Sequence, residues 1–414
     1  MKKVKFIVII FLLSNLSIFA SGGSLYTRYG VGDVINASSS RLMSMGGLGY
    51  ALQNSDYLSD LNPANWYRIY STRLEANFLL NGVKIDDNVS KSNYSKGIFN
   101  GIKIGLPIER DLGISLVMGV TPESFVQYEV VNKIENSSIE NYTNTYEGTG
   151  GLNRLFIGTS LKLPFDFVMG ASFDYYMGII KYNSSIVFEE NSIYNNSSIR
   201  KQKDYKGIGF NLGLLTPDLS NIIKIDKIKD LRLGMAFKYV SNLKTDTSLY
   251  VGSLLGEKLE ERMPVYTHIP YKFGLGLSFI YNENYLFIID YATQPWSKYT
   301  FNNLSDSNLR DYQKISFGVE HRNSVTRYST FAEQIILRGG LGYEQTQYKI
   351  NGTGIDYYYL TAGLSMPLMF ENTVDIGVSA GFRGKKDNNL IKETVYNLSI
   401  TFSFGELWFI RQER

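Results

Sequence analysis

The chain has 414 residues, of which 42 are basic and 39 acidic, so its formal net charge is +3. This near balance leaves no case for a nucleic-acid-binding protein. The absence of cysteine excludes disulfides, a lipid-anchored cysteine and thiolate metal sites. No later apolar run reaches about 18 residues, which excludes helical membrane spans beyond the first residues.

The N-terminus has the layout of a secretory signal peptide. Lys2 and Lys3 precede an apolar stretch at 6–13, and small residues begin at Ala20. Such a stretch is too short to cross a bilayer as a helix. We therefore predict a signal peptide over residues 1–20 that is cleaved after export, and we expect the mature chain in the bacterial outer membrane.

Residues 21–70 do not alternate between apolar and polar side chains. They contain a glycine-rich stretch at 45–50 and a proline at Pro63, which cannot donate to a strand ladder. Irregular backbone at membrane depth is tolerated only where protein or water satisfies its polar groups. We predict a hatch that folds into a barrel lumen and plugs it. A disordered periplasmic extension is the alternative, and the apolar content of 42–52 disfavours it.

Residues 71–404 alternate strongly. Between Thr373 and Arg383 every second side chain is apolar, beginning at Val374, and the side chains between them are polar, charged or glycine. Successive side chains of a strand lie on opposite faces, so each of these segments has one apolar and one polar face. The apolar faces are too numerous and too long to meet in a soluble core. We predict an all-β fold, an antiparallel up-and-down transmembrane β-barrel.

The alternating segments number about fourteen, an even number as in bacterial barrels. They begin near residues 71, 94, 112, 146, 165, 205, 230, 268, 284, 310, 334, 355, 372 and 391. We expect tight turns such as 163–166 on the periplasmic side and polar loops, 129–145, 189–202 and 245–263, outside. Residues 405–414 continue past the last aromatic of the alternating pattern, and we predict a short C-terminal periplasmic tail there.

Charged side chains fall on the inward face of the predicted strands. They either meet the carboxylate of a ligand or form ion pairs that join hatch and wall, and the second interpretation is favoured. A site for a greasy ligand would be mostly apolar. Packing of the hatch against the wall explains the apolar candidates equally well. The candidate ligand-binding residues are Leu42, Met43, Met45, Leu48, Leu52, Lys272 and Arg338.

Several motifs occur in an order that resembles the FadL family of outer-membrane transporters of long-chain fatty acids and other hydrophobic compounds. In the hatch these are Gly46, Gly47 and the Asn62-Pro63-Ala64 triplet. Downstream, Asp-Tyr at 290–291 is followed by Trp-Ser at 296–297, and the segments 315–321 and 337–343 are also similar to the family. The resemblance covers the hatch and the C-terminal third. In the middle of the chain it extends only to the spacing of the strands.

The resemblance implies a fourteen-stranded barrel with an N-terminal hatch in the lumen. In that family, hydrophobic molecules enter from outside and leave when the hatch rearranges, often sideways through the wall. We therefore expect gated uptake of hydrophobic small molecules such as long-chain fatty acids. The alternative is a FadL-like scaffold that binds or shuttles secreted proteins, as in type IX secretion.

An enzyme is disfavoured because the chain has only 2 histidines, on separate segments, without a catalytic spacing. No cluster of residues resembles a metal site, and we expect no cofactor. The expected partners are outer-membrane lipid, a hydrophobic ligand and, in the alternative function, secreted proteins. We expect a monomer that binds no nucleic acid.

Overall fold

The computed structural model describes residues 23–86, 91–135, 140–189, 192–223, 225, 227–253, 256–323, 329–368, 371–386 and 390–406. The predicted signal peptide, residues 1–20, lies outside these ranges, as do residues 407–414 of the predicted tail. Across the described part of the chain, no helix is long and apolar enough to cross a membrane.

The wall is a closed barrel of 14 antiparallel strands, which confirms the predicted fold class and strand number. The last strand pairs with the first, from Lys392 opposite Asp86 to Glu406 opposite Thr72, and so closes the ring. The wall strands are β2 (Thr72–Asp86), β3 (Lys91–Glu109), β4 (Ile114–Ile134), β5 (Tyr142–Lys162), β6 (Val168–Phe188), β7 (Ser197–Leu215), β8 (Ile228–Val240), β11 (Lys272–Tyr281), β12 (Tyr285–Gln294), β15 (Tyr312–His321), β16 (Ile336–Ile350), β17 (Thr353–Pro367), β18 (Thr373–Arg383) and β19 (Lys392–Glu406).

The remaining elements are short or lie outside the wall. They are the strands β1 (Asp33–Val34), β9 (Leu243–Ser253), β10 (Gly256–His268), β13 (Thr300–Phe301) and β14 (Leu304–Ser305), the helices α1 (Ser40–Ser44) and α2 (Ser220–Ile223), and 3₁₀ turns at Leu25–Arg28, Pro63–Arg68, Pro164–Asp166 and Trp296–Lys298. We call the rim that carries the turns 110–113, 163–167 and 282–284 the turn rim, and the opposite rim the loop rim.

The two faces of the wall have opposite chemistry, as the alternation predicts. On β18 the side chains of Val378 and Phe382 are exposed on the outside, whereas Asp375 and Arg383 are buried inside. The outward face can contact acyl chains, and the inward face carries polar groups that need partners. The outer belt of exposed apolar side chains continues around the ring, for example at Phe78, Phe173, Leu233, Leu275 and Tyr396.

Some predicted boundaries are wrong at the loop rim. Of the predicted loop 129–145, residues 129–134 and 142–145 belong to β4 and β5, and residues 197–202 of the predicted loop 189–202 belong to β7. The predicted loop 245–263 is a hairpin of β9 and β10 that pairs with the outer part of β7. Strands outside the bilayer need no apolar outward face, so the alternation does not reveal them. At the C-terminus, residues 405–406 belong to β19 and not to a tail.

Residues 23–71, here called the N-terminal segment, lie inside the ring of strands. Inward-facing glycines of the wall leave room for its backbone. A Cβ atom at Gly170 of β6 would lie 2.3 Å from Pro63 C, and one at Gly318 of β15 would lie 2.6 Å from the Met45 oxygen. Close packing of this kind tolerates no added methyl group without a shift of the chain.

An outward charge on the wall should destabilise the protein. Val378 lies in the middle of β18 and is half exposed, opposite Ala362 and Leu398 of the neighbouring strands. We expect Val378→Arg to lower the free energy of unfolding by about 2–4 kcal/mol, since a charge near the bilayer midplane loses its hydration.

The measurement is a urea titration in lipid vesicles, followed by tryptophan fluorescence. Val378→Leu is the control and should leave the midpoint nearly unchanged. A midpoint for Val378→Arg equal to that of the parent chain would show that this face does not contact lipid.

Candidate functional site

A buried ionic network joins the N-terminal segment to the wall near the turn rim. Glu320 of β15 accepts hydrogen bonds from Arg41 (2.9 Å), Arg338 of β16 (2.7 Å) and Arg322 (2.6 Å). Arg338 also pairs with Asp375 of β18 at 2.6 Å. Buried charges persist only when such partners compensate their lost hydration. The guanidinium group of Arg338, which is predicted as a ligand-binding cation, thus already has two carboxylate partners within the protein.

A second network surrounds the buried guanidinium of Arg154 on β5. It pairs with Asp60 of the N-terminal segment at 2.7 Å and with Asp174 of β6 at 3.4 Å. Burial alone would raise the pKa of Asp60, but Lys103 and Arg154 hold it below its ordinary value. Asp60 is therefore a carboxylate that fixes the segment to the wall.

A third network lies toward the loop rim. Arg383 of β18 pairs with Asp33 of β1 at 2.8 Å and with Glu393 of β19 at 2.6 Å. Ser24 donates to Glu393 at 2.8 Å, and Tyr348 donates to Asp33 at 2.7 Å. These contacts agree with the favoured interpretation of the inward charges, in which ion pairs hold the segment to the wall.

The predicted hatch motif fixes the backbone of the segment. Gly46 and Gly47 adopt φ of +87° and +79°, values that favour glycine, and the Tyr359 hydroxyl donates to the Gly46 oxygen at 2.7 Å. Asn62 accepts a hydrogen bond from the Ala64 N–H at 3.0 Å and so caps the 3₁₀ turn that begins at Pro63. These residues have structural roles.

The predicted ligand-binding residues do not form one site. Leu42, Met45 and Leu52 pack together against Ile288 of β12, and Leu48 joins a separate apolar cluster toward the loop rim. Met43 instead lines a cavity of the lumen. The ligand role of all of them stays a prediction.

That cavity, here called the lumen cavity, lies between the N-terminal segment and the wall and has a volume of about 150 Å³. Its mixed apolar and polar lining is typical of sites for small ligands. The apolar part of the lining consists of Val34, Ile35, Met43, Leu79, Phe125, Tyr357, Tyr359 and Val395. Asn36 lines it together with the charged Lys314, Glu344 and Arg383.

Lys272 of β11 lies beside this cavity. It is buried, and its ammonium group donates a hydrogen bond to Asn36. Among the described residues no carboxylate lies within ion-pair distance of Lys272, unlike Lys238 directly opposite it, which pairs with Glu123 at 2.5 Å. The Lys272 amine therefore has hydrogen-bonding capacity that no acidic side chain of the described residues satisfies.

The wall opens between β3 and β4. These strands pair only from Ile102 opposite Val120 to the turn rim, and beyond that point β3 has no partner on this side among the described residues. Gly101 has φ of +117° at the separation. The edge of β4 that β3 leaves pairs with β1 instead, so that Asp33 lies opposite Phe125.

Phe125 lies in this gap. It lines the lumen cavity and also a recess of about 940 Å³ on the outer side, here called the outer recess. The recess is lined by Ile98 and Phe99 of β3 and by Met177 and Ile179 of β6. One aromatic side chain thus separates the lumen from the apolar outer surface. Alternation alone does not identify Phe125, although Gly101, Pro122 and Gly150-Gly151 are residues that weaken strands nearby.

Neutralising Glu320 should loosen the N-terminal segment. Glu320→Gln leaves the surrounding arginines without their carboxylate, which costs on the order of 3 kcal/mol for a buried pair. We expect hydrogen–deuterium exchange of the peptide that contains α1 to rise at least tenfold, while the amides of the wall strands stay protected.

Glu283→Gln is the control, because Glu283 pairs with Lys229 at the exposed turn rim. Equal exchange of the α1 peptide in both variants and in the parent chain would show that the network does not hold the segment.

Comparison with known proteins places these features in a family. The fold is similar to the Ralstonia pickettii toluene transporter TbuX (TM-score 0.61, 16% identity, 90% of this chain and 99% of that chain). It is also similar to a Pseudomonas aeruginosa FadL homologue (0.60, 14%, 89% and 99%) and to the Pseudomonas putida toluene transporter TodX (0.57, 15%, 92% and 100%).

At the level of the fold, these similarities confirm the resemblance to the FadL family. No protein of curated function matches the sequence. The family model for BamG matches residues 1–413, nearly the whole chain. The chain belongs to the BamG family.

Proposed function

We propose that the protein is an outer-membrane channel for small hydrophobic molecules, which enter the lumen cavity from the loop rim and leave sideways through the gap between β3 and β4. The observation that carries this proposal is the position of Phe125 between the lumen cavity and the outer recess. Apolar side chains line both spaces beside Phe125, so a hydrophobic molecule has apolar contacts on either side of the gap.

The N-terminal segment supports a lateral exit rather than a straight one. Between the lumen cavity and the turn rim, the segment is buried and packed against the wall, as at Trp66 with Phe156 and at Leu52 with Ile288. A straight route would require the loss of the Glu320 and Arg154 networks, whereas the lateral route passes Phe125 beside β1 and leaves both networks in place.

Two structural neighbours support the chemical class. TbuX and TodX are described as toluene transporters, and both share this fold. The apolar outer belt and the predicted signal peptide support a location in the outer membrane. In this proposal the N-terminal segment is the hatch, and lipid and a hydrophobic ligand are the partners.

We further propose that long-chain fatty acids are among the ligands, with Lys272 as the group that meets the carboxylate. Lys272 is buried beside the lumen cavity and has an amide partner but no acidic one within ion-pair distance in the described ranges. The carboxylate of a ligand would accept a charge-assisted hydrogen bond from the Lys272 side chain.

Blocking the gap should stop transport. The chain has no cysteine, so a cysteine placed at Phe125 can be labelled selectively with a bulky maleimide. We expect Phe125→Cys to take up radiolabelled toluene and oleate at least as fast as the parent chain in intact cells, because a smaller side chain obstructs the gap less. Labelling should lower uptake of both at least tenfold.

Phe382→Cys is the matched control, because Phe382 is an outward-facing aromatic on the far side of the lumen cavity, in the lipid belt. Its labelling should leave uptake unchanged. If labelled Phe125→Cys transports as well as the unlabelled variant, the lateral route is wrong.

Replacing Lys272 should separate acids from neutral compounds. Lys272→Met keeps the length of the side chain and removes its charge, so we expect oleate uptake to fall about tenfold, the equivalent of one charge-assisted hydrogen bond. Toluene uptake should remain the same, and Lys272→Arg should retain most of the oleate uptake. An equal fall for both compounds would show that Lys272 only holds Asn36 in place.

A further inference from the structure

A sheet projects beyond the loop rim on one side of the barrel. It consists of the outer ends of β4, β5, β6 and β7, extended by the hairpin of β9 and β10. The register is continuous, since Tyr146 of β5 pairs with Ser184 of β6, Ser184 with Ile199 of β7, and Ile199 with Val251 of β9. Residues opposite one another on adjacent strands share a face. We call these ends the projecting sheet.

The chemistry of the two faces reverses where the strands leave the wall. Along β6 the outward side chains are apolar as far as Ile179 and then polar or charged from Lys181 through Asn183. The inward side chains change in the opposite sense, from Asp174 in the wall to Tyr182 beyond it. The projecting sheet thus has an apolar face toward the barrel axis and a polar face away from it.

The chain itself covers this apolar face only in the part next to the wall. Trp296 and Tyr299 are buried there in the same apolar cluster as Tyr205 of β7. Farther from the wall the apolar side chains are exposed. The fractional exposure is 45% for Tyr146 and 51% for Ile199. An apolar sheet face of this kind is normally covered in its working state.

The shape of the face indicates the size of its occupant. Six strands about 4.8 Å apart and roughly seven residues long present a surface on the order of 500 Å². That is a large part of the roughly 800 Å² that each partner contributes to a stable protein–protein interface. A flat, open face cannot enclose most of a small molecule, as a ligand pocket does. The occupant is therefore a polypeptide.

The charge of the face indicates the chemistry of that polypeptide. Lys201 and Lys203 of β7 lie on the inward face, and their ammonium groups lie over the ring of Phe301, at 5.9 Å and 3.9 Å from its centroid. Neither lysine has a carboxylate within ion-pair distance in the part of the chain that the structure describes. A partner with acidic side chains beside an apolar patch would complement both features.

A free strand edge borders the same face. β10 pairs with β9 along one edge. Within the described residues its other edge is paired at Thr267 and His268 with β13, and the Tyr266 oxygen accepts a hydrogen bond from the Asn302 N–H. No strand of the described ranges pairs with this edge from Gly256 to Val265, so its backbone groups can accept an added strand.

We propose that the apolar inner face of the projecting sheet is the docking site of a second protein, which presents an apolar surface edged by acidic side chains. The site is separate from the lumen cavity and the gap, so the proposal does not depend on the transport function.

The test is site-specific photo-crosslinking in intact cells. p-Benzoylphenylalanine replaces Tyr146 or Met263 on the inner face, and replaces their chain neighbours Glu147 or Arg262 on the outer face as matched controls. We expect the inner positions to give one discrete product with a second protein, identified by mass spectrometry, at a yield at least tenfold above that of the outer positions.

A charge on the inner face should abolish that product. We expect Ile199→Glu to lower the yield from the Tyr146 probe at least tenfold, whereas Lys181→Glu, on the outer face, leaves it unchanged. Toluene uptake should be equal in both variants, which keeps a failure of docking distinct from a failure of transport.

Three outcomes would overturn the proposal: equal products from both faces, inner-face products that contain only lipid or a second copy of this chain, and no inner-face product when the same probe at Phe382 labels lipid. A yield that Ile199→Glu leaves unchanged would overturn it as well.

Discussion

The bilayer core contains no water, so every backbone N–H and C=O group at that depth must find its partner within the protein. The pairing of β19 with β2 meets this requirement, because it leaves the wall without a first or last edge at membrane depth. The outward apolar belt and the inward polar face follow from that closure. A strand fixed in a ring has one face toward lipid and the other toward the lumen.

Closure creates a second requirement, because the polar inward face then surrounds a lumen that must be hydrated or filled. The N-terminal segment fills much of it and brings the complementary charges. Arg41 meets Glu320, Asp60 meets Arg154, and Asp33 meets Arg383. Each pair combines one residue of the segment with one of the wall, so the contacts position the segment as well as neutralise the charge. The space that remains is the lumen cavity beside Phe125.

The sequence predicts the wall well, because the constraint that shapes it acts on every strand alike. Alternation at 373–383 or 167–175 identifies both the strand and its outward face. The alternation no longer identifies strands beyond the part of the wall that faces lipid. Beyond Ile179 the faces of β6 exchange their polarity. The alternation therefore predicts loops at the outer ends of β4, β5 and β7 and does not predict the β9–β10 hairpin.

The site was less predictable than the fold, because it depends on which distant groups meet. Arg338 has the charge of a ligand-binding residue, but its partners Glu320 and Asp375 come from β15 and β18, which sequence alone does not align with it. The separation of β3 from β4 is a loss of backbone pairing that side-chain patterns do not report, and the glycines and proline near it indicate only an irregular strand.

The position of the N-terminal segment in the chain has a consequence for the order of folding. Its first helix bonds to residues made much later, at sequence separations of 279 for Arg41 and Glu320 and 361 for Ser40 and Thr401. Contacts over such separations form slowly, because the closure of long loops costs entropy before any contact stabilises the chain. The segment is synthesised first, yet its contacts with Glu320 and Thr401 can form only after β15 and β19 have been made. The strand that closes the barrel against β2 is also the one that bonds to Ser40, which links the position of the segment to the closure of the wall.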